Sequence, residues 1–80
     1  MSNKKYLQKG FDKQLAHVVE ECGEVLAAAG KTQRWGLDSY NPEPTSDREQ
    51  NGDWLSRELK DLEKAIKRLR KTMLEEENYA

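Results

Sequence analysis

The sequence predicts an all-α protein: a short helical bundle of two long antiparallel helices, with a loop or short helix between them, completed by oligomerisation. Three observations predict this. Apolar residues recur at spacings of three and four in two blocks, residues 11–29 and 55–73, and that spacing collects them on one side of an α-helix. The segment between the blocks carries Pro42 and Pro44, which block a continuous helix. The chain is also short and thin in core material. Its 80 residues are 35% hydrophobic and 36% charged, and a domain of this size hides only about 60% of its unfolded surface. With no metal-finger or disulfide pattern, association with further copies is the simplest source of buried area.

Taken in order, residues 1–10 are polar and read as a frayed lead-in to a single domain spanning 1–80. The first helix is expected over 11–29, with Phe11, Leu15, Val18, Val19, Cys22, Val25, Leu26 and Ala29 as its apolar seam. Gly30 followed by Lys31 is a plausible stop. Gly23 costs a helix roughly 1 kcal/mol against Ala, so it is expected to permit the close approach of another group. Residues 31–53 form a long connection, and such connections tend to be functional or disordered. Ser46-Asp-Arg-Glu49 has the form of a capping box that would start a short helix. Asn51-Gly52 would interrupt that helix, and Asp53 is an alternative N-cap. In the second long helix Leu55, Leu59, Leu62, Ile66, Leu69 and Met73 make a heptad stripe suited to a bundle seam. Lys60, Lys64, Lys67 and Lys71 fall on the far side as a solvated face. The acidic tail, 75–80, is expected to fray.

The charge balance excludes some function classes. Fourteen basic residues against fifteen acidic ones give a net charge of −1, without the basic excess of a general nucleic-acid or membrane binder. Cys22 is the only cysteine, so no intramolecular disulfide forms and nothing points to an oxidising compartment. No signal-peptide or membrane-spanning pattern is present. A cytoplasmic protein is the expectation.

The informative residues are acids on the helix edges. On a helical wheel Gln14, His17, Glu21, Glu24 and Ala28 form a stripe beside the first apolar seam, and Glu20 projects to its other side. Trp54, Glu58, Asp61 and Ala65 form the matching stripe on the second helix. Packing the helices antiparallel by their apolar seams would bring Glu21, Glu24, Glu58 and Asp61 together. Four close carboxylates repel unless a cation neutralises them, and an all-oxygen set suits Mg²⁺ or Mn²⁺. Lys31 and Arg34 then offer contacts for phosphates, while Trp35 and Tyr40 offer faces for a base. The bland alternatives stand beside these readings. Each acid pair alone is a common surface feature, His17 alone a half-exposed helix histidine, and Cys22 a core residue. Trp35 and Trp54 alone read as core anchors, and Lys31 and Arg34 as partners of the helix dipole.

The run Glu20-Glu21-Cys-Gly-Glu24, followed by Glu58-Leu-Lys-Asp61, resembles the Glu-Glu-x-x-Glu … Glu-x-x-Asp signature of the MazG-like, all-α nucleoside triphosphate pyrophosphohydrolases. The resemblance covers roughly residues 11–70. It implies a homodimer or homotetramer that hydrolyses an NTP or dNTP to the monophosphate and pyrophosphate. It implies Mg²⁺ ligands at Glu21, Glu24, Glu58 and Asp61, with Glu20 as a supporting acid or a base that orients water, so that Glu20, Glu21 and Glu24 are the catalytic acids. Gln14, His17, Lys31, Arg34 and Trp35 complete the expected site as substrate-binding residues. The chain departs from the family in its longer, proline-bearing connection, in the charged Glu63, Lys64 and Lys67 after the second motif, and in ending soon after it. A competing reading is a non-catalytic helical interaction module that works through the Leu55–Met73 stripe. A di-iron site is disfavoured, because such bundles use Glu-x-x-His pairs and His17 precedes the glutamates.

Overall fold

The computed structural model describes the backbone of residues 2–40 and 48–75, and the side chains from residue 10 onward within them. Two helices account for nearly all of it: α1, Ser2–Trp35, and α2, Asn51–Glu75. They pack along each other as an all-α hairpin measuring 50 × 22 × 19 Å. Gly36 meets Asn51 at one end and His17 meets Arg68 further along, so the helices run antiparallel. No described helix is long and apolar enough to cross a membrane.

Helix α1 is longer at both ends than the expected 11–29. It runs through Gly30 and stops at Gly36, whose φ of 93° is left-handed. Glycine adopts that conformation without steric cost, which is why it so often follows a helix C-terminus. There Gly36 N–H donates to the Thr32 carbonyl at 2.8 Å, and Ser39 Oγ donates to the Trp35 carbonyl at 2.6 Å. These bonds satisfy carbonyls that a helix end leaves without partners. Gly23 does not serve a close approach, since nothing lies within 4 Å of where its Cβ would stand.

The start of α2 also differs from expectation. Asn51-Gly52 opens the helix instead of interrupting it, and Asp53 falls inside. Asn51 N–H donates to the Ser39 carbonyl at 2.6 Å and Gly52 N–H to the Leu37 carbonyl at 2.9 Å. Residues 37–39 thus supply the acceptors that cap the first turn of α2 and clip it to the end of α1. A Cβ on Gly52 would lie 3.3 Å from Leu37 Cδ2 and 3.4 Å from its carbonyl oxygen, so the close approach expected at Gly23 is found here. The capping box and short helix expected after Ser46 lie partly outside the described residues. Of them, Arg48 has φ 61° and stacks its guanidinium 4.6 Å from the Tyr40 ring centre.

The main correction concerns which faces meet. The helices do not pack by their leucine seams. The buried residues of α2 are Asn51, Trp54, Glu58 and Ala65, which is the acid-bearing stripe, with Asp61 half-buried on it. On α1 the facing stripe is Gln14, His17 and Glu21, half-buried, and Ala28, fully buried. Ala28 and Ala65 are small enough to let the helices approach, and Trp54 supplies the bulk of the apolar contact. Among the described residues these three are the only buried apolar side chains.

The leucine seams lie to one side. In an antiparallel pair, a residue one step after the inward-facing stripe points to the same side of the hairpin on both helices, because a step is about 100° and the chains run oppositely. Leu15 and Cys22 on α1 therefore share a side with Leu55, Leu62, Ile66, Leu69 and Met73 on α2. Leu15, Cys22 and Leu59 are exposed, as are Val19 at 63% and Leu26 at 72% further round α1. Cys22 is thus not a core residue of the single chain.

Candidate metal and phosphate site

The acid stripes meet near the middle of the hairpin. Glu21 of α1 and Glu58 and Asp61 of α2 each offer a carboxylate oxygen within 4.8 Å of the others. Glu21 also belongs to a second group of the same size with His17 and Glu20. The two groups share Glu21, so five of the expected site residues form one continuous patch. Glu24 stands outside both groups and is exposed. Its charge still reaches Glu58, whose carboxyl is raised above the ordinary value, first by burial and then by the charges of Glu24 and Asp61. Arg57 and a hydrogen bond from Trp54 pull in the opposite direction. A carboxylate exposed by only 7% of its side chain beside two further acids is unfavourable without a cation. The donor set, all carboxylate oxygen, fits a hard divalent ion held by Glu21, Glu58 and Asp61.

Basic side chains border the acids. Arg57 Nη1 lies 3.3 Å from Glu58 Oε2 and makes a two-pronged pair with Glu49 at 3.0 Å through Nε and Nη2. Arg68 Nη1 lies 3.3 Å from His17 Nδ1, and His17 Nε2 lies 3.2 Å from Glu21 Oε2. Arginine can only donate, so Nδ1 accepts and Nε2 carries the hydrogen that His17 donates to Glu21. Arg68 thereby fixes His17 in the tautomer that steadies Glu21. A cavity of about 190 Å³ opens at this point, lined by His17, Glu21, Asp61, Lys64 and Arg68. Lys64, expected on the solvated far face, is part of this wall.

Sequence reasoning missed Arg57, Lys64 and Arg68. The signal was present: Arg57, Asp61, Lys64 and Arg68 follow steps of four, three and four, a stripe adjoining that of Glu58. The remaining expected binding residues divide. Gln14 is half-buried on the inner stripe about one turn from His17. Lys31 and Trp35 line a different cleft at the loop end of the hairpin. Arg34 is exposed in the last turn of α1 and lines neither. Trp35 is 62% exposed and anchors no core, whereas Trp54 does.

Comparison of the chain with family models, with curated proteins and with solved structures gives no match.

Proposed function

We propose that the chain is a cytoplasmic, Mg²⁺-dependent nucleoside triphosphate pyrophosphohydrolase, releasing pyrophosphate from an NTP or dNTP and acting as a homodimer or homotetramer. The observation that carries this reading is the meeting of Glu21 with Glu58 and Asp61 across the two helices within 4.8 Å. When bound, Mg²⁺ neutralises polyphosphate charge and makes water a better nucleophile. The chain's own residues divide the remaining work. Glu21, Glu58 and Asp61 hold the ion. Glu20, exposed beside His17 and Glu21, accepts a proton from the attacking water. Arg57, Lys64 and Arg68 border the acids with positive charge suited to phosphate oxygens. A site that combines close carboxylates with a basic rim fits a divalent ion and its phosphate ligand together.

Pyrophosphate release from a full NTP and dNTP panel, with Mg²⁺ and with Mn²⁺, tests the reading. Asp61→Asn and Glu21→Gln, each removing a carboxylate of the meeting group, are expected to remove activity while the helical circular dichroism is kept. Inactivity of the wild-type protein across the panel would overturn it.

A second reading is supported by the exposed apolar side formed by Leu15, Val19, Leu26 and Leu59. On it the chain is a helical interaction module working through the Leu55–Met73 stripe, with Glu58 paired to Arg57 and Glu21 accepting a hydrogen bond from His17. That reading predicts an oligomer indifferent to chelator, with activity absent and the acids freely replaceable.

A further inference from the structure

Arg57 is shared between two carboxylates, and the sharing is unequal. Its Nε and Nη2 each lie 3.0 Å from one oxygen of Glu49, a two-pronged pair, while only Nη1 reaches Glu58 Oε2, at 3.3 Å. Glu58 is the more buried of the two and lies among the acids between the helices. Glu49 stands just before α2, with 19% of its side chain exposed. A guanidinium binds a carboxylate best through a fork of two parallel bonds, and here the fork goes to Glu49. Glu49 can hold it because the chain on either side is tied down. Gln50 pairs with Tyr40 in an isolated antiparallel bridge, and its carbonyl accepts from the Trp54 N–H at 2.9 Å. On the other side the Arg48 guanidinium stacks on the Tyr40 ring.

The consequence falls on the acid cluster. Arg57 puts positive charge at the edge of the group formed by Glu21, Glu58 and Asp61. A divalent ion entering that group is repelled by Arg57 and competes with it for Glu58. Tied to Glu49, Arg57 takes one oxygen of Glu58. Released from Glu49, it can turn its fork onto both, and the carboxylate that the ion needs is then occupied. We infer that Glu49 is a positioning residue for the cation site: by holding Arg57 in its fork it limits the guanidinium to one contact with Glu58 and keeps the acid cluster open to a divalent ion. Arg57 is then the chain's own counter-ion to the acids, and Glu49 sets how much of its charge they receive. The effect on the ion rests on the reading of the acids as an Mg²⁺ site, whereas the placement of Arg57 rests on its contacts alone.

Two measurements on the full chain test this. The first is isothermal titration calorimetry of Mg²⁺ into wild type, Glu49→Gln, Arg57→Gln and the double variant, with the helix content of each checked by circular dichroism. Glu49→Gln is expected to weaken Mg²⁺ binding and Arg57→Gln to strengthen it, each by about fivefold, the scale of a half-exposed charge pair. Glu49→Gln added to Arg57→Gln is expected to change nothing further, because Glu49 acts through Arg57. An equal loss in both backgrounds would mark Glu49 as a remote negative charge and overturn the inference, as would Glu49→Gln binding like wild type. The second measurement is carbon nuclear magnetic resonance of the Glu58 carboxyl in chelator at fixed pH. Glu49→Gln is expected to shift this signal as the fork turns to Glu58, and to leave it unmoved in the Arg57→Gln background. A Glu58 signal that ignores Glu49→Gln in both backgrounds overturns the inference whatever the calorimetry gives. This second measurement holds no metal, so the two readings fail separately. Wild type that binds no Mg²⁺ while the carboxyl shift is seen would remove the cation site and keep the placement of Arg57. Mg²⁺ binding that is insensitive to Glu49→Gln would keep the cation site and remove the role of Glu49.

Discussion

Replacing Glu58 by Gln removes the most buried charge of the acid cluster while keeping its size, and two thermal melts read the result. Two unit charges 4.8 Å apart repel by about 3.5 kcal/mol at an effective dielectric of about 20. Glu58 faces Asp61 and Glu21 at that range, and Glu24 adds to the repulsion. Arg57 opposes it from 3.3 Å, but its side chain is 52% exposed, and a pair screened in this way contributes about 1 kcal/mol or less. With Glu21 and Asp61 also partly hydrated, the net relief on neutralising Glu58 is about 1–2 kcal/mol. In chelator, at fixed protein concentration, Glu58→Gln should therefore melt higher than wild type by roughly 5–15 °C, since 1 kcal/mol moves a domain of this size by about 4–8 °C.

Adding Mg²⁺ should reverse the order. An ion that binds only the folded state at 100 times its dissociation constant stabilises it by about 2.7 kcal/mol. Wild type should gain most of that, and Glu58→Gln, with one ligand weakened, less than half. The two melting temperatures should cross as Mg²⁺ is raised. If Glu58→Gln melts lower in chelator, or if wild type does not respond to Mg²⁺, the acids are not a strained cation site and the reasoning fails.

Four other outcomes are expected. The folded state holds the Glu58 proton above the ordinary value of 4.5, so between the unfolded and folded values the native chain binds more protons and this group's contribution falls as pH rises. In chelator, wild type should gain on Glu58→Gln as the pH drops from 7 towards 4.5, and a constant gap would contradict this. Leu59→Lys combined with Val19→Lys charges the exposed apolar side and should convert the proposed oligomer to monomer in sedimentation, leaving the helix content unchanged. Gly36→Ala should cost about 1–2 kcal/mol in a urea melt, because φ is 93° with no clash to relieve. Gly23→Ala should instead gain about 0.5–1 kcal/mol, because the site is open and helical.

The sequence made the elements legible and left their faces ambiguous. Three-four periodicity is strong in both blocks, so two helices and their all-α pairing could be read directly. The helix ends could not. Gly30 looks like a stop as much as Gly36 does, and what separates them is the set of hydrogen bonds that residues 37–39 make to both helices. The inward face could not be read for a different reason. Each helix has a leucine seam and an acid stripe about 100° apart, and hydropathy assigns the inside to the leucines. That assumption holds only when the partner is the other helix of the same chain. The acid positions were legible because Glu21, Glu58 and Asp61 needed only to share an edge; Lys64 is assigned to the solvated face, and Arg57 and Arg68 join the acid edge through the contacts they make to Glu58 and His17.

The inverted arrangement is itself an argument about assembly. A lone hairpin whose only buried apolar side chains among the described residues are Ala28, Trp54 and Ala65 has little hydrophobic stabilisation to set against the entropy of ordering its chain. It would also hold Glu58 against other acids at a further cost. Turning the leucines inward would remove both difficulties for a monomer. The observed choice becomes favourable when the side carrying Leu15, Cys22, Leu55, Leu62, Ile66 and Leu69 is covered by a second copy, because both hairpins then contribute their seams to one shared core. In such an assembly each acid stripe remains between the two helices of its own chain, and its charge is met by Arg57 and by the proposed cation. The oligomer and the ion are therefore linked predictions. Leu59→Lys with Val19→Lys should reduce the Mg²⁺-induced rise in melting temperature along with the mass, since a hairpin freed of its partner can turn its leucines inward and disperse the acids. A monomeric variant that keeps the full Mg²⁺ response would show that the acid stripe is held by the hairpin alone.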